Sequence, residues 1–350
     1  MERQDIVVIG ASAGGIQALI TLLGGLPADL PAAIFVVVHI PPYAVSRLPE
    51  ILGRAGPLPA AHAVHGEAIV PGRIYVAPPN RHLLVRRGQV EVTGGPRENH
   101  VRPAVDPLFR SAARAYGRRV VGVVLSGFLY DGGAGLLAVQ GRGGVAIVQD
   151  PDDAAVDGMP RHALALVDAD HTARADAIAP ILVELTRRST STGGGQAMAD
   201  EEERLEVVIR GDFAKQANDQ RVADTTIYTC PDCGGVLWQD ATGAGLHFRC
   251  HVGHAYAPDL LLDLKSDALE AALWSSVRLL KEKATLTRQL AARNSASGHD
   301  RLAERSEDQA QLTERHAAAI RDLVEAMPTG LPPDDLPEPR VLHRHRPGKR

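Results

Sequence analysis

The sequence predicts an α/β protein: a doubly wound, mainly parallel, Rossmann-like sheet with helices on both faces, then a small Cys/His module and a C-terminal helical segment. Three observations predict it. Unbroken, largely β-branched runs at 6–9 (IVVI), 34–38 (IFVVV), 120–125 (VVGVVL) and 145–148 (VAIV) read as strands buried on both faces, the usual consequence of crossover helices covering a parallel sheet. Helical stretches alternate with these runs. Hydrophobic residues make up 45% of the chain but aromatic residues only 4%, so the core rests on Val, Ile, Leu and Ala, the mix of layered α/β domains.

In chain order, a strand over Ile6–Ile9 leads through a Gly-rich turn into a helix over Gly15–Leu23. A strand over Ile34–Val38 precedes a helix over Tyr43–Leu52, and Ile74–Ala77 with LLVRRGQVEV, turning at Arg87-Gly88, suggests an antiparallel hairpin set into the sheet. Further helices are expected over Val105–Tyr116, Gly132–Arg142 and Ala175–Arg187, around the strands Val120–Leu125 and Val145–Val148. This first domain spans 1–187. Residues 188–224, with STSTGGGQAMADEEE, have a linker's composition. Residues 225–260 hold all three cysteines, 261–327 are Leu/Ala-rich and helical, and 328–350 form a Pro-rich basic tail expected to be disordered. In the helical segment Leu269, Leu273, Leu280 and Ala284 lie near heptad spacing, and RNSASGH at 293–299 marks a fold-back or hinge between two helices.

A net charge of −4 supplies no positive field for nucleic acid or anionic lipid. No window approaches the roughly 18 apolar residues of a membrane span, and MERQDIVVIG lacks the basic start and long apolar stretch of a secretion signal. Three clustered cysteines suit a reducing compartment. The expectation is a cytoplasmic protein with neither nucleic-acid binding nor membrane insertion.

The chemistry concentrates at strand ends. VVIGASAGG sets Ser12 in G-x-S-x-G between a strand and a helix, where a nucleophile is exposed on a tight turn and helix N–H groups can receive an oxyanion. FVVVHIPP puts His39 at the end of the second strand, and Asp131 follows Leu125 by six residues. In a doubly wound sheet these ends share one edge, so Ser12 as nucleophile, His39 as base and Asp131 as its orienter can converge. A plainer reading of each remains: Ser12 and Asp131 as helix caps, His39 as a strand terminator. A dinucleotide-binding turn is disfavoured because Ser12 replaces the middle glycine and His39 stands where an acidic ribose ligand would.

GASAGG, VVVHIPP, IYVAPPNRHLLV, RPAVDPLFRSAA, LSGFLYDGGAGL and DGMPRHAL, in this order, resemble the catalytic domain of the chemotaxis protein-glutamate methylesterase family (CheB) over nearly all of 1–187. The resemblance implies hydrolysis of glutamate methyl esters on chemoreceptors and deamidation of receptor glutamines, with no catalytic cofactor and with Ser12, His39 and Asp131 as the triad. It also departs from the family in two places. Ala13 stands where the family has Thr, and Phe128 where it has a Met whose backbone N–H helps form the oxyanion hole. A backbone donor survives a side-chain exchange, so activity is expected to persist with a reshaped pocket. The family's N-terminal receiver domain has no counterpart before the first strand, which places control in the C-terminal half or in a separate partner, such as a response regulator or receptor methyltransferase. A catalytically silent receptor-binding scaffold is the alternative of another class.

Cys230 and Cys233 form C-x(2)-C, followed by Cys250 after sixteen intervening residues and by His254 in C-x(3)-H. This spacing suits a structural, tetrahedral Zn²⁺ site. His251 is the alternative fourth ligand, and three reduced cysteines without metal the plainer reading. The segment with HVGHAY and the following helix also resembles a C-terminal extension of receiver-less methylesterases.

Overall fold

A computed structural model describes residues 2–41, 46–190, 223–240 and 247–327. The chain divides into two compact units, Met1–Leu261 and Leu262–Arg350. The first opens with β1 (Glu2–Arg3), β2 (Ile6–Ala11), α1 (Gly15–Gly24), β3 (Ala33–Val38), α2 (Leu48–Ala55), β4 (Ala60–His62) and β5 (Ile74–Val76). A hairpin of β6 (His82–Arg86) and β7 (Gln89–Thr93) leads to α3 (Val105–Tyr116), β8 (Val120–Val124), α4 (Gly133–Gly141) and β9 (Val145–Gln149). Then come α5 (Gly158–Leu166), β10 (His171–Ala173), α6 (Ala175–Arg187) and β11 (Ser189–Thr190).

The main sheet has seven strands in the order β10-β9-β8-β2-β3-β5-β4, every neighbouring pair parallel. Because side chains alternate across a strand, β2 sends Val7, Ile9 and Ala11 into one core with α1, α2 and α6. Ile6 and Val8 enter the other core with α3, α4 and α5. Each buried Val, Leu or Ile contributes about 1.5–3 kcal/mol of apolar burial. The chain order reverses at β2, which lies between β3 and β8, and this switch point opens the crevice in which a doubly wound sheet holds its ligands.

Three expectations are corrected. The β6–β7 hairpin is a separate two-stranded sheet and is not set into the main one. β5, grouped with it on the sequence, is instead a parallel strand of the main sheet. The helix expected over Tyr43–Leu52 runs over Leu48–Ala55, and residues 42–45 lie outside the described residues. Most of the 188–224 linker and the whole 328–350 tail also lie outside them.

The Cys/His module is a four-stranded antiparallel sheet of β12 (Ala223–Thr229), β13 (Val236–Asp240), β14 (His247–Cys250) and β15 (Ala255–Tyr256). It leads into α7 (Pro258–Ala296) and α8 (Asp300–Glu325). In the second unit the break falls at Gly298, with φ 76°, and Arg288 of α7 reaches Glu307 and Glu314 of α8. The buried heptad positions are Val277, Ala284 and Ala291 on α7 and Ala310, Ala317 and Val324 on α8. Of the positions that heptad spacing picks out, Ala284 is buried and Leu269 half exposed.

Candidate active site

Ser12 immediately follows β2. Its N–H donates to Ser126 O at 2.9 Å, and Gly15 N–H donates to Ser12 O at 3.0 Å. The turn needs Gly14 in the left-handed region, φ 72°, which glycine adopts without penalty. Ser126 anchors it further by donating its hydroxyl to Ala13 O at 2.8 Å, while its own N–H is held by Gln149 Oε1 at 2.9 Å.

Ala11 and Val38 are register partners on β2 and β3, and His39 N–H donates to Ala11 O at 3.2 Å. Ser12 and His39 are thus the next residues along adjacent strands about 4.8 Å apart. His39 Nε2 donates to Asp131 Oδ2 at 2.8 Å, which leaves Nδ1 as the ring nitrogen for proton exchange.

Asp131 is buried and accepts three further hydrogen bonds, from Val105 N–H at 2.6 Å, Asp106 N–H at 3.1 Å and Asn99 Nδ2 at 3.2 Å. It does not cap the helix that follows it; Gly132 occupies that position at φ 94°. The carboxylate sits instead on the N-terminus of α3, where free amides and the helix dipole favour an anion. Asp106, from α3, returns the arrangement by accepting Gly132 and Gly135 N–H at 3.0 and 2.7 Å at the start of α4. Burial alone would raise the Asp131 carboxyl, but the His39 hydrogen bond and charge, then the Val105 and Asp106 amides, outweigh it and hold it low. Burial and the neighbouring Asp131 charge push the Asp106 carboxyl up.

Among the described residues no acceptor takes the N–H of Ala13 or Phe128, whereas Gly127 N–H is committed to Val156 O at 2.9 Å. A Cβ at Gly127 would lie 2.7 Å from Ser12 Cβ and 2.2 Å from Met159 Sδ, so only glycine lets the 126–131 loop close on the serine. Leu129 in that loop adopts φ 68°, an uncommon conformation for a branched residue. A cleft of about 310 Å³ beside His39 is lined partly by Arg97, His100 and Arg102.

In the module, ligand atoms of Cys230, Cys233, Cys250 and His254 lie within 4.8 Å of one another. Cys233 Sγ is 3.6 Å from Cys250 Sγ, and His254 Nδ1 is 3.6 Å from Cys230 Sγ and 3.5 Å from Cys250 Sγ. Tetrahedral Zn²⁺ with Zn–S near 2.3 Å and Zn–N near 2.0–2.1 Å requires S···S of about 3.8 Å and S···N of about 3.5 Å, so the donor set fits that ion in type and spacing. The distances are far beyond a disulfide's ~2.05 Å. His251 packs edge-on against Trp238, ring centroids 6.0 Å apart, and is not in the cluster.

Asn99 and Asp106 were not singled out from the sequence, nor was Ser126. The available signal was ENHVRPAVD, in which Asn-His in a turn precedes a Pro-led helix start, but nothing in it revealed that both side chains face Asp131.

The comparisons with known proteins fall on this first region. Residues 7–182, half of the chain, match the family model described as CheB methylesterase. The chain is 43% identical over 185 residues to protein-glutamate methylesterase/protein-glutamine glutaminase 2 of Anaeromyxobacter dehalogenans, covering 53% of this chain and 54% of that protein. It is 41% identical over 174 residues to enzyme 1 of the same name from Geobacter metallireducens, covering 49% and 48%. The chain therefore spans about half the length of the curated relatives it matches. The crystal structure of the Thermotoga maritima CheB methylesterase catalytic domain superposes with a TM-score of 0.50 at 35% identity, over 53% of this chain and 99% of that one. With the family model spanning half of the chain and a solved catalytic domain matched almost whole, the chain belongs to the CheB methylesterase family.

Proposed function

We propose that residues 1–187 form a serine esterase that removes methyl groups from glutamyl side chains of methylated chemoreceptor cytoplasmic domains, with Ser12, His39 and Asp131 as its triad. The observation that carries this reading is the 2.8 Å contact from His39 Nε2 to buried Asp131, with Ser12 and His39 following register-paired residues of adjacent strands. Ser12 Oγ attacks the ester carbonyl carbon as its proton passes to His39 Nδ1, and Asp131 stabilises the imidazolium. The oxyanion is received by the Ala13 and Phe128 N–H groups. Collapse expels methanol protonated by His39; water, deprotonated by the same nitrogen, then attacks the acyl-serine carbonyl, freeing the glutamate carboxylate and restoring Ser12. With a glutamine side chain the same sequence releases ammonia, the second activity in the relatives' names.

Cys230, Cys233, Cys250 and His254 would hold a Zn²⁺ with four protein ligands, a closed site whose contribution is structural. Among the described residues no helix is long and apolar enough to cross a membrane. We place the protein in the cytoplasm beside its receptors, with a receptor methyltransferase or a separate response regulator as further partners.

The test is methanol release from a methylated chemoreceptor signalling domain by wild type and Ser12→Ala. The reading expects release that Ser12→Ala abolishes. No release by the wild type, or equal release by both, would sink it.

A further inference from the structure

Residues 98–101 link the Cys/His module to the triad within one compact unit. Glu98 N–H donates to Val101 O at 3.3 Å and Val101 N–H to Glu98 O at 3.0 Å, closing a turn with Asn99 at φ 49° and His100 at φ 63°. Two successive left-handed residues are the type I′ pattern, which Asn tolerates and His seldom adopts. Such a turn persists only where its surroundings over-determine it.

The module supplies much of those surroundings. Asn99 N–H donates to Ala255 O at 2.8 Å and Ala255 N–H to Arg97 O at 3.4 Å. Buried Glu98 lies between Arg110 of α3, at 2.6 Å, and Arg249 of β14, at 3.6 Å, and His100 Nδ1 is 3.3 Å from Asp232. Ala257 N–H donates to Asn99 Oδ1 at 3.1 Å. That bond fixes which end of the amide faces the triad: Nδ2 must point to Asp131 Oδ1 at 3.2 Å and Asp106 Oδ2 at 3.1 Å. One side chain therefore joins the module's main chain to the carboxylate that orients His39.

The module residues in this contact, Asp232, Arg249, Ala255 and Ala257, each lie within three positions of a member of the Cys/His cluster. His254 precedes Ala255, Arg249 precedes Cys250, and Tyr256 Oη contacts both Cys230 Sγ at 3.1 Å and Asp232 Oδ2 at 2.6 Å. Among the described residues, the large apolar side chains buried in the module's strands are Leu237, Phe248 and Tyr256, and a module this size ordinarily needs metal or disulfides to hold its shape.

The geometry points to a metal-set clamp on the active site. A thiophilic divalent ion at Cys230, Cys233, Cys250 and His254 fixes β14 and β15, these hold the 98–101 turn, and Asn99 acts as a positioning residue for Asp131. Without the ion, Ala257 no longer anchors the Asn99 side chain, whose Nδ2 is then no longer held at hydrogen-bond distance from Asp131, so the carboxylate loses one of the donors that fix it. The catalytic consequence rests on the proposed esterase reading; the structural coupling does not.

The test uses the full chain, with Zn²⁺ loaded or stripped by a chelator under reducing conditions. Two quantities are read: amide hydrogen exchange across 97–106, and the rate at which a small fluorophosphonate labels Ser12, which needs no receptor docking. Stripping is expected to speed exchange at Asn99 and Val105 at least about tenfold, with β2 and β8 amides unchanged, and to slow labelling about tenfold to a hundredfold. Asn99→Ala, still binding metal stoichiometrically, is expected to label as slowly as the stripped wild type and to lose nothing more on stripping. Unchanged exchange across 97–106 on stripping overturns the clamp, as does an equal further loss of labelling in wild type and Asn99→Ala. If loaded wild type never labels, the esterase reading fails while the exchange measurement still decides the clamp.

Discussion

Replacing Asp131 with Asn keeps the shape of the side chain and removes one acceptor from a group that uses both. Oδ1 accepts from Asn99 Nδ2 and Asp106 N–H, and Oδ2 from His39 Nε2 and Val105 N–H. If the new NH₂ replaces Oδ1, two buried donors lose their acceptor, at about 1–3 kcal/mol each. If it replaces Oδ2, only Val105 N–H is orphaned, at about 1–3 kcal/mol, provided His39 switches tautomer so that Nε2 accepts. The second arrangement costs less and should prevail. It puts the ring proton on Nδ1 and abolishes the base that Ser12 needs. Loss of the Asp131 charge also lets Asp106 ionise more readily, offsetting part of the stability cost. The expected result is a Tm lower by about 2–10 °C and ester hydrolysis slower by about 10³–10⁴, as when another enzyme's triad histidine is forced into the wrong tautomer. Thermal unfolding followed by circular dichroism and initial-rate methanol release at pH 7 measure the two. A variant within tenfold of the wild-type rate would refute the assignment of Asp131 as the group that sets the His39 tautomer.

Three other outcomes follow from the same geometry. Gly127→Ala drives a methyl group onto Ser12 Cβ and Met159 Sδ; it should cost about 1–3 kcal/mol of stability and about a hundredfold in kcat, read by denaturant unfolding and hydrolysis rate. The Asp106 carboxyl is raised in the folded chain, so its contribution is complete below the ordinary value near 4 and is lost as pH rises above it; urea unfolding at several pH values should give a flatter pH dependence above 4 for Asp106→Asn than for wild type. Glu98 is held down to about 2 although burial opposes it, first by Arg110 and then by Arg249, so its contribution is present above the ordinary value near 4.5 and lost as pH falls toward 2. Arg249→Ala should cost about 1–3 kcal/mol at pH 7 and begin its acid unfolding at higher pH than wild type, and an unchanged acid limb would argue against this pairing.

Much of this protein is written in local patterns. Apolar runs such as Ile6–Ile9 and Val120–Leu125 become the buried parallel strands β2 and β8, because a strand covered on both faces admits little else. Ser12, His39 and Asp131 stand out in the sequence as candidates because each follows such a strand, and the strand ends of a doubly wound sheet share one edge. The cysteine spacing likewise named four side chains that the fold brings within 4.8 Å. Short polar elements such as β10 (His171–Ala173) were not legible, since three residues carry no periodicity and pair only because β9 offers an edge. The helical seam was legible only in part: Ala284 is buried as its heptad spacing suggests, whereas Leu269, at the same spacing, is half exposed.

Local residue type and spacing were enough to read the sheet and to nominate Ser12, His39, Asp131 and the four Cys and His side chains that cluster in the module. Docking of the elements set Asp131 on the helix of Asp106 and Asp106 on the helix after Asp131. It also decided that Asn99 ties the Cys/His module to both carboxyl groups. These contacts join residues as far as 158 positions apart, and their hydrogen bonds depend on where whole elements dock, which no local pattern encodes.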